Sequence, residues 1–216
     1  PQGARLADVG TDHGYLPVWL LQHGRIESAI ASDINALPLD HARATAREYG
    51  VTERMDFRLC PGLAKIKAEE CDAIAIAGMG GETILGILEA APWTHEDVHT
   101  LILQPQSAGQ ALRQYLAEHS FAIEREALAR DGHFFYTVLR AKKGHMTPLS
   151  PGQQYASPQL LRTDGPLLGP YLARIETALA GTVLGLQRAD EPEKLRYYET
   201  ALAEIREMRK QHDDYS

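Results

Sequence analysis

Two cysteines in 216 residues, Cys60 and Cys71, cannot staple a fold, and their spacing matches no metal-binding motif. That scarcity suits a reducing compartment, so the sequence reads as cytoplasmic. No apolar run approaches the length of a membrane span and no signal peptide opens the chain, so no membrane partner is expected. The chain opens on Pro1 rather than Met, and residues are expected to precede it. The histidines, His13 and His133 among them, show no ligand spacing, so no metal is expected. Positive charge is also short. A net charge of −7 weighs against a general nucleic-acid binder. The deficit is uneven: residues 1–141 hold 12 Lys/Arg and 19 Asp/Glu, whereas residues 142–216 hold 10 of each. A local basic face therefore stays open in the C-terminal part. The G-x-G-x-x-G spacing of dinucleotide sites is missing, and there is no internal repeat.

What is present is a core. Hydrophobic residues make up 44% of the chain, which argues against disorder. Apolar strand-like runs alternate with helical patterns as far as residue 141. Strands are predicted at Leu6–Val9, Ala29–Ser32, Met55–Leu59, Ala73–Ala77, Leu101–Leu103, Phe121–Ala127 and Phe135–Arg140. Helices are predicted between them at about Tyr15–His23, Leu37–Tyr49, Leu63–Lys67, Glu82–Ala90 and Ala108–Glu118. The alternation implies an α/β, Rossmann-like domain with a seven-stranded, mostly parallel sheet. Its last two strands, joined by Arg130-Asp131-Gly132, close it as an antiparallel hairpin. Residues 1–143 are expected to form this domain. From Lys142 to Pro170 the chain is rich in Pro, Gly, Ser and Gln, as a linker or extended crossing would be. Beyond it, Leu172, Ile175, Leu179 and Leu186 mark one helical stripe, and Leu195, Tyr198, Leu202 and Ile205 a second. Residues 144–216 thus read as a linker and a helical hairpin, in effect a short coiled coil.

The chemistry concentrates where strands are expected to end. Asp8-Val9-Gly10-Thr11-Asp12-His13-Gly14-Tyr15-Leu16 reads as strand, tight turn, helix. The glycines sit four apart with Asp12 between them. A carboxylate there would repel a pyrophosphate but suits the ammonium and sulfonium of S-adenosylmethionine (SAM). Asp33, 19 residues after Gly14, can accept hydrogen bonds from ribose hydroxyls or simply cap the turn before Asn35; Ile34 beside it is expected to touch the cofactor. Gly62 follows the third strand, and Gly78-Met79-Gly80-Gly81 the fourth. The Asn- or Asp-Pro-Pro-aromatic motif of exocyclic-amine methylation is absent from that position, which favours a ring nitrogen as methyl acceptor. Gln104 ends the fifth strand, where it can contact a base edge or satisfy backbone.

These residues carry a resemblance. Ala7-Asp8-Val9-Gly10-Thr11-Asp12-His13-Gly14-Tyr15-Leu16-Pro17, Ile76-Ala77-Gly78-Met79-Gly80-Gly81 and Leu101-Ile102-Leu103-Gln104-Pro105 resemble the bacterial tRNA (adenine-22-N1)-methyltransferases. The chain departs from the family at Cys60-Pro61, where Gly-Asp or Gly-Asn is usual. The resemblance implies a class I SAM-dependent methyltransferase fold, SAM as cofactor, tRNA as partner, and methyl transfer to N1 of adenine 22. It makes Asp8, Gly10, Asp12, Gly14, Leu16, Asp33, Ile34, Gly62, Gly78, Met79 and Gly80 cofactor residues. Asp12 is the candidate for stabilising charge on the methylated ring, and Tyr15 for stacking on a base. Gln104, Arg174, Arg188, Lys194, Arg206, Arg209 and Lys210 are the candidate tRNA contacts. The alternatives are a SAM enzyme acting on another RNA or a small molecule, and a non-catalytic SAM- or RNA-binding module.

Overall fold

Runs such as Ala73-Ile74-Ala75-Ile76 have no polar face, as a parallel strand covered on both sides requires. In the computed structural model, which describes residues 3–96, 98–163 and 165–215, such runs form the centre of one seven-stranded sheet. The elements are β1 (Ala4–Val9), α1 (Tyr15–Gln22), β2 (Ile26–Asp33), α2 (Ala36–Glu48), β3 (Met55–Leu59), β4 (Ala73–Gly80), α3 (Gly81–Glu89), β5 (Thr100–Ser107), α4 (Gly109–Glu118), β6 (Phe121–Asp131), β7 (Phe134–Lys143), α5 (Pro158–Leu161), α6 (Leu168–Leu186) and α7 (Pro192–Tyr215). The strand order is β3-β2-β1-β4-β5-β7-β6. The first five strands are parallel, and β7 is antiparallel to both its neighbours. The order reverses between β1 and β4, which opens a crevice at their C-terminal ends. One apolar core lies around β4 and β5, with Ile74, Ile76, Leu101 and Leu103 fully buried against Ile84 and Leu88 of α3 and Leu112 and Leu116 of α4. A second lies under α1 and α2, around Val18, Leu21 and Ala46.

Three expectations need correction. Leu63–Lys67 is a run of turns rather than a helix, followed by a single 3-10 turn at Ala68–Glu70. Its amides bond three residues back, Ala64 N to the Pro61 carbonyl at 3.1 Å and Ile66 N to the Leu63 carbonyl at 2.9 Å, and so short a stretch does not nucleate an α-helical ladder. The segment from Lys142 to Pro170 is no loose linker: it ends β7, forms α5 and starts α6. Gln154, Ala156, Ser157 and Leu160 within it are buried. The closing hairpin is tighter than read, with β6 running to Asp131 and β7 starting at Phe134. The helical hairpin forms as expected. Leu172, Leu179, Leu202 and Ile205 are buried between α6 and α7 in a third core that also takes in Ala156, Leu160 and, partly buried, Leu128 and Phe135 of the β6–β7 pair.

Candidate functional site

The turn after β1 is built from three residues with left-handed backbone, Gly10 (φ +75°), Asp12 (φ +45°) and Gly14 (φ +68°). Asp tolerates that conformation better than most residues. The Gly10 and Thr11 amides both donate to the Ser32 carbonyl, at 2.8 and 3.1 Å, and lash the turn to the end of β2. A Cβ on Gly10 would collide with the Met79 methyl, which overhangs it from β4. The space beside Gly14 is filled by Ala42 of α2, 3.0 Å from where a Cβ would stand. That glycine lets two helices approach; it does not clear room for a ligand.

The two strand-end acids differ in state. Asp8 is only 6% exposed, and burial pushes its carboxyl up to about 6 against the opposing effect of a 2.6 Å hydrogen bond donated by Thr11 Oγ1 to Oδ2. Its Oδ1 has no donor among the described residues. Asp33 Oδ1 accepts the Asn35 amide at 2.8 Å, the capping role weighed from sequence, and Oδ2 is left over. Asp33 also lines a cleft with Val9, Gly10, Ile34, Pro61, Met79 and Ile87. Ser32, Gly62 and Thr83 complete its wall. The cleft offers a carboxylate edge that can accept from ribose hydroxyls and apolar plates that can flank a base, the surroundings an adenosine needs. An acid at each strand end and the unfilled Asp8 oxygen fit a cationic nucleoside cofactor.

Of the predicted cofactor residues, Gly10, Asp33, Ile34, Gly62 and Met79 therefore share one cleft. Asp8 sits beneath it, while Asp12, with its side chain 76% exposed, stands at the tip of the turn. Leu16 is half exposed on α1. Gly78 is exposed at a bulge where the β4–β5 register slips, and Gly80 packs by Ser107. Tyr15, 65% exposed, stacks on His13 with centroids 5.1 Å apart, and His13 stacks on His41 at 4.6 Å. Asp12, His13 and His41 bring ligand-type atoms within 4.8 Å of one another, a grouping that sequence separation concealed. The stacked imidazoles lie in near-parallel planes, 11° apart, so their in-plane lone pairs do not converge on one ion.

Three cleft residues, Ser32, Thr83 and Ile87, are not among those the sequence singles out. Thr83 and Ile87 are i, i+4 on α3, so helical spacing from the glycine turn was the available signal. At the departure from the family pattern, Pro61 forms part of the cleft wall and Cys60 turns into the core. Gln104 is committed to backbone: Oε1 accepts from Gly78 N at 2.8 Å and Nε2 donates to the Pro105 carbonyl at 3.1 Å. Among the cations, Arg206 and Arg209 are bound to Glu176 at 3.1 and 2.9 Å, and Lys194 to Glu191 at 3.0 Å. Arg188 and Lys210 are exposed with no side-chain partner among the described residues.

The family model described as "Methyltransferase domain" matches residues 1–139. The tRNA (adenine(22)-N(1))-methyltransferase of Bacillus subtilis is 34% identical over 179 residues, 83% of this chain and 72% of that protein. The crystal structure of Streptococcus pneumoniae Sp1610 in complex with S-adenosyl-L-methionine superposes with a TM-score of 0.83 at 32% identity, covering 96% of this chain and 93% of that one. Mycoplasma capricolum TrmK in complex with S-adenosyl-homocysteine gives a TM-score of 0.75 at 26% identity, over 97% and 91% of the two chains.

Proposed function

The chain belongs to the methyltransferase family so matched, with the bacterial tRNA (adenine(22)-N(1))-methyltransferases, and from that premise we propose how its residues divide the work. It is a SAM-dependent enzyme that transfers a methyl group to N1 of adenine 22 in tRNA. The observation that best supports the assignment of residues is the pair of acids, buried Asp8 and half-committed Asp33, flanking the Gly10 turn at the point where strand order reverses. When bound, SAM supplies a methyl activated by its sulfonium. Asp33 Oδ2 takes the ribose hydroxyls, and Ile34, Pro61, Gly62 and Ile87 clasp the adenine. Asp8 and the Gly10–Gly14 turn hold the amino-acid end, with Gly78, Met79 and Gly80 closing over it and Leu16 backing the turn.

N1 of neutral adenine already carries its lone pair, so no side chain has to remove a proton first. N1 lies on the pairing edge, so the base must be unpaired or drawn out of its stack. Tyr15, exposed and propped by His13 and His41, is the ring we assign to receive it. Positive charge then grows on the ring. A carboxylate accepting from the exocyclic amine stabilises that charge, and Asp12 at the tip of the turn is assigned this role. No described helix is long and apolar enough to cross a membrane, and we place the enzyme in the cytoplasm with its substrate. The test incubates the protein with SAM and unmodified tRNA and maps the product by mass spectrometry. One methyl at N1 of adenine 22 is expected. Asp12→Asn should cut kcat at least tenfold, and SAM affinity measured alongside separates this role from a hold on the cofactor ammonium: a loss confined to SAM affinity would remove Asp12 from the chemistry. Protein that binds SAM yet leaves tRNA unmodified refutes the activity.

A further inference from the structure

A cavity of about 230 Å³ lies between the outer end of the sheet and α6, lined by Gln106 of β5, Gln110 of α4, Phe135 of β7, Tyr155, and Tyr171 and Arg174 of α6. Resting on the tRNA methyltransferase reading, we propose that it is a second nucleotide subsite, holding the base and phosphate of a residue that flanks the methylated adenine.

Position comes first. Gln106 Nε2 lies 3.8 Å from where a Gly78 Cβ would stand, so the cavity opens directly beside the glycine-rich end of β4. In the order β1-β4-β5-β7 it sits two to three strands from Gly10, roughly 10–15 Å at about 4.8 Å per strand. With the target base assigned to Tyr15 at the β1 turn, a cavity at that distance is within reach of the neighbouring nucleotide in the same strand of RNA. The volume exceeds the roughly 150 Å³ known to hold a benzene ring.

The lining chemistry matches a splayed nucleotide. Phe135 offers a ring for stacking, with Tyr171 packed edge-on at 6.0 Å and the Arg130 guanidinium 5.5 Å from its centre. The Tyr171 hydroxyl is occupied, donating to the Tyr155 carbonyl at 2.8 Å. The Gln106 and Gln110 carboxamides have no hydrogen-bond partner among the described residues. Each offers a donor and an acceptor, the complement of a base edge. Arg174 spends one N–H on the His133 carbonyl at 2.7 Å, leaving the rest of an exposed guanidinium for a phosphate. A void left by imperfect packing would not collect two idle carboxamides and an arginine around an aromatic ring.

The experiment separates this subsite from the activity. Affinity for unmodified tRNA is measured by filter binding at several salt concentrations, and methyl transfer is measured independently, on the full chain. Phe135→Leu should weaken tRNA binding roughly 5- to 100-fold, with SAM affinity unchanged. Arg174→Gln should lower the salt slope by about one phosphate contact. A tRNA carrying 2-aminopurine next to position 22 should be quenched on binding to the wild type and not to Phe135→Leu. Should Phe135→Leu fold poorly, the Gln106→Ala/Gln110→Ala double variant carries the test, with at least a fivefold loss expected. Folded variants with wild-type tRNA affinity, salt slope and quenching overturn the subsite. Absence of methyl transfer by the wild type, with tRNA binding and quenching intact, overturns the activity and leaves the subsite standing.

Discussion

Asp8 is a carboxyl the fold would hold more cheaply as an amide. Its native pKa of about 6 lies above the ordinary 3.8, so the native state binds the proton more tightly than the unfolded chain. The stability contributed by protonated Asp8 is fully present below pH 3.8 and is lost as pH rises through 6, about 3 kcal/mol in all. A ligand ammonium would reverse this preference, because it favours the ionised form. Affinity for SAM should therefore rise about tenfold between pH 5 and pH 7 as Asp8 ionises. Asp8→Asn should flatten that profile, and without cofactor it should melt higher than the wild type at pH 7.5 but not at pH 4. Calorimetric titration and thermal denaturation read the two effects; a wild-type SAM affinity constant over this range rejects the role of Asp8. The acids and glycines of this site were legible because few reasons other than a ligand put such residues at the end of an apolar strand. The use made of Gly14 was not, since its partner Ala42 belongs to another helix. Nor was the division between Gln104 and Gln106, which a β-bulge and local backbone bonding decide.

Strands and helices were legible for a different reason: the apolar period is set by the element alone. Every strand from β1 to β7 lies where an apolar run lies. The segment between β7 and α6 was not, because its Pro, Gly, Ser and Gln are the residues of loops, and only tertiary packing buries them. What fixes it is an ion pair. Arg113 of α4 and Glu126 of β6 are 1% exposed each and meet at 2.7 Å. Ser157 Oγ donates to the same carboxylate at 2.9 Å, and Arg113 Nη1 donates to the Gln154 carbonyl at 3.1 Å. The pair thus stitches the segment to the catalytic domain. Removing one partner strands the other charge in the interior. Arg113→Met should destabilise the protein by about 3–5 kcal/mol, whereas Arg113→Met/Glu126→Leu should recover much of that loss. Urea denaturation of the two variants checks this. A double variant no more stable than the single one would show that the hydrogen bonds to the segment, rather than the paired charges, dominate.

An acidic protein must bind a polyanion against its own mean field, so the few uncommitted cations matter more than the number of basic residues. Residues 142–216 are neutral overall, and much of their positive charge is spent inside the helical hairpin. Glu176 of α6 is held below its usual range by Arg209 and Arg206 of α7, so these arginines clasp the two helices together. Arg188, at the tip beyond α6, and Lys210, on α7, have no such employment among the described residues. The candidate tRNA contacts thus divide into two kinds with different signatures. Arg188→Ala/Lys210→Ala should weaken tRNA binding and reduce the slope of log K against log salt by about one to two, with the melting temperature unchanged. Arg206→Ala/Arg209→Ala should lower the melting temperature and leave the salt slope where it was, because the charges removed never faced a phosphate. Measuring both quantities on both variants decides the division: equal changes in slope would mean that tRNA draws Arg206 and Arg209 away from Glu176 when it binds.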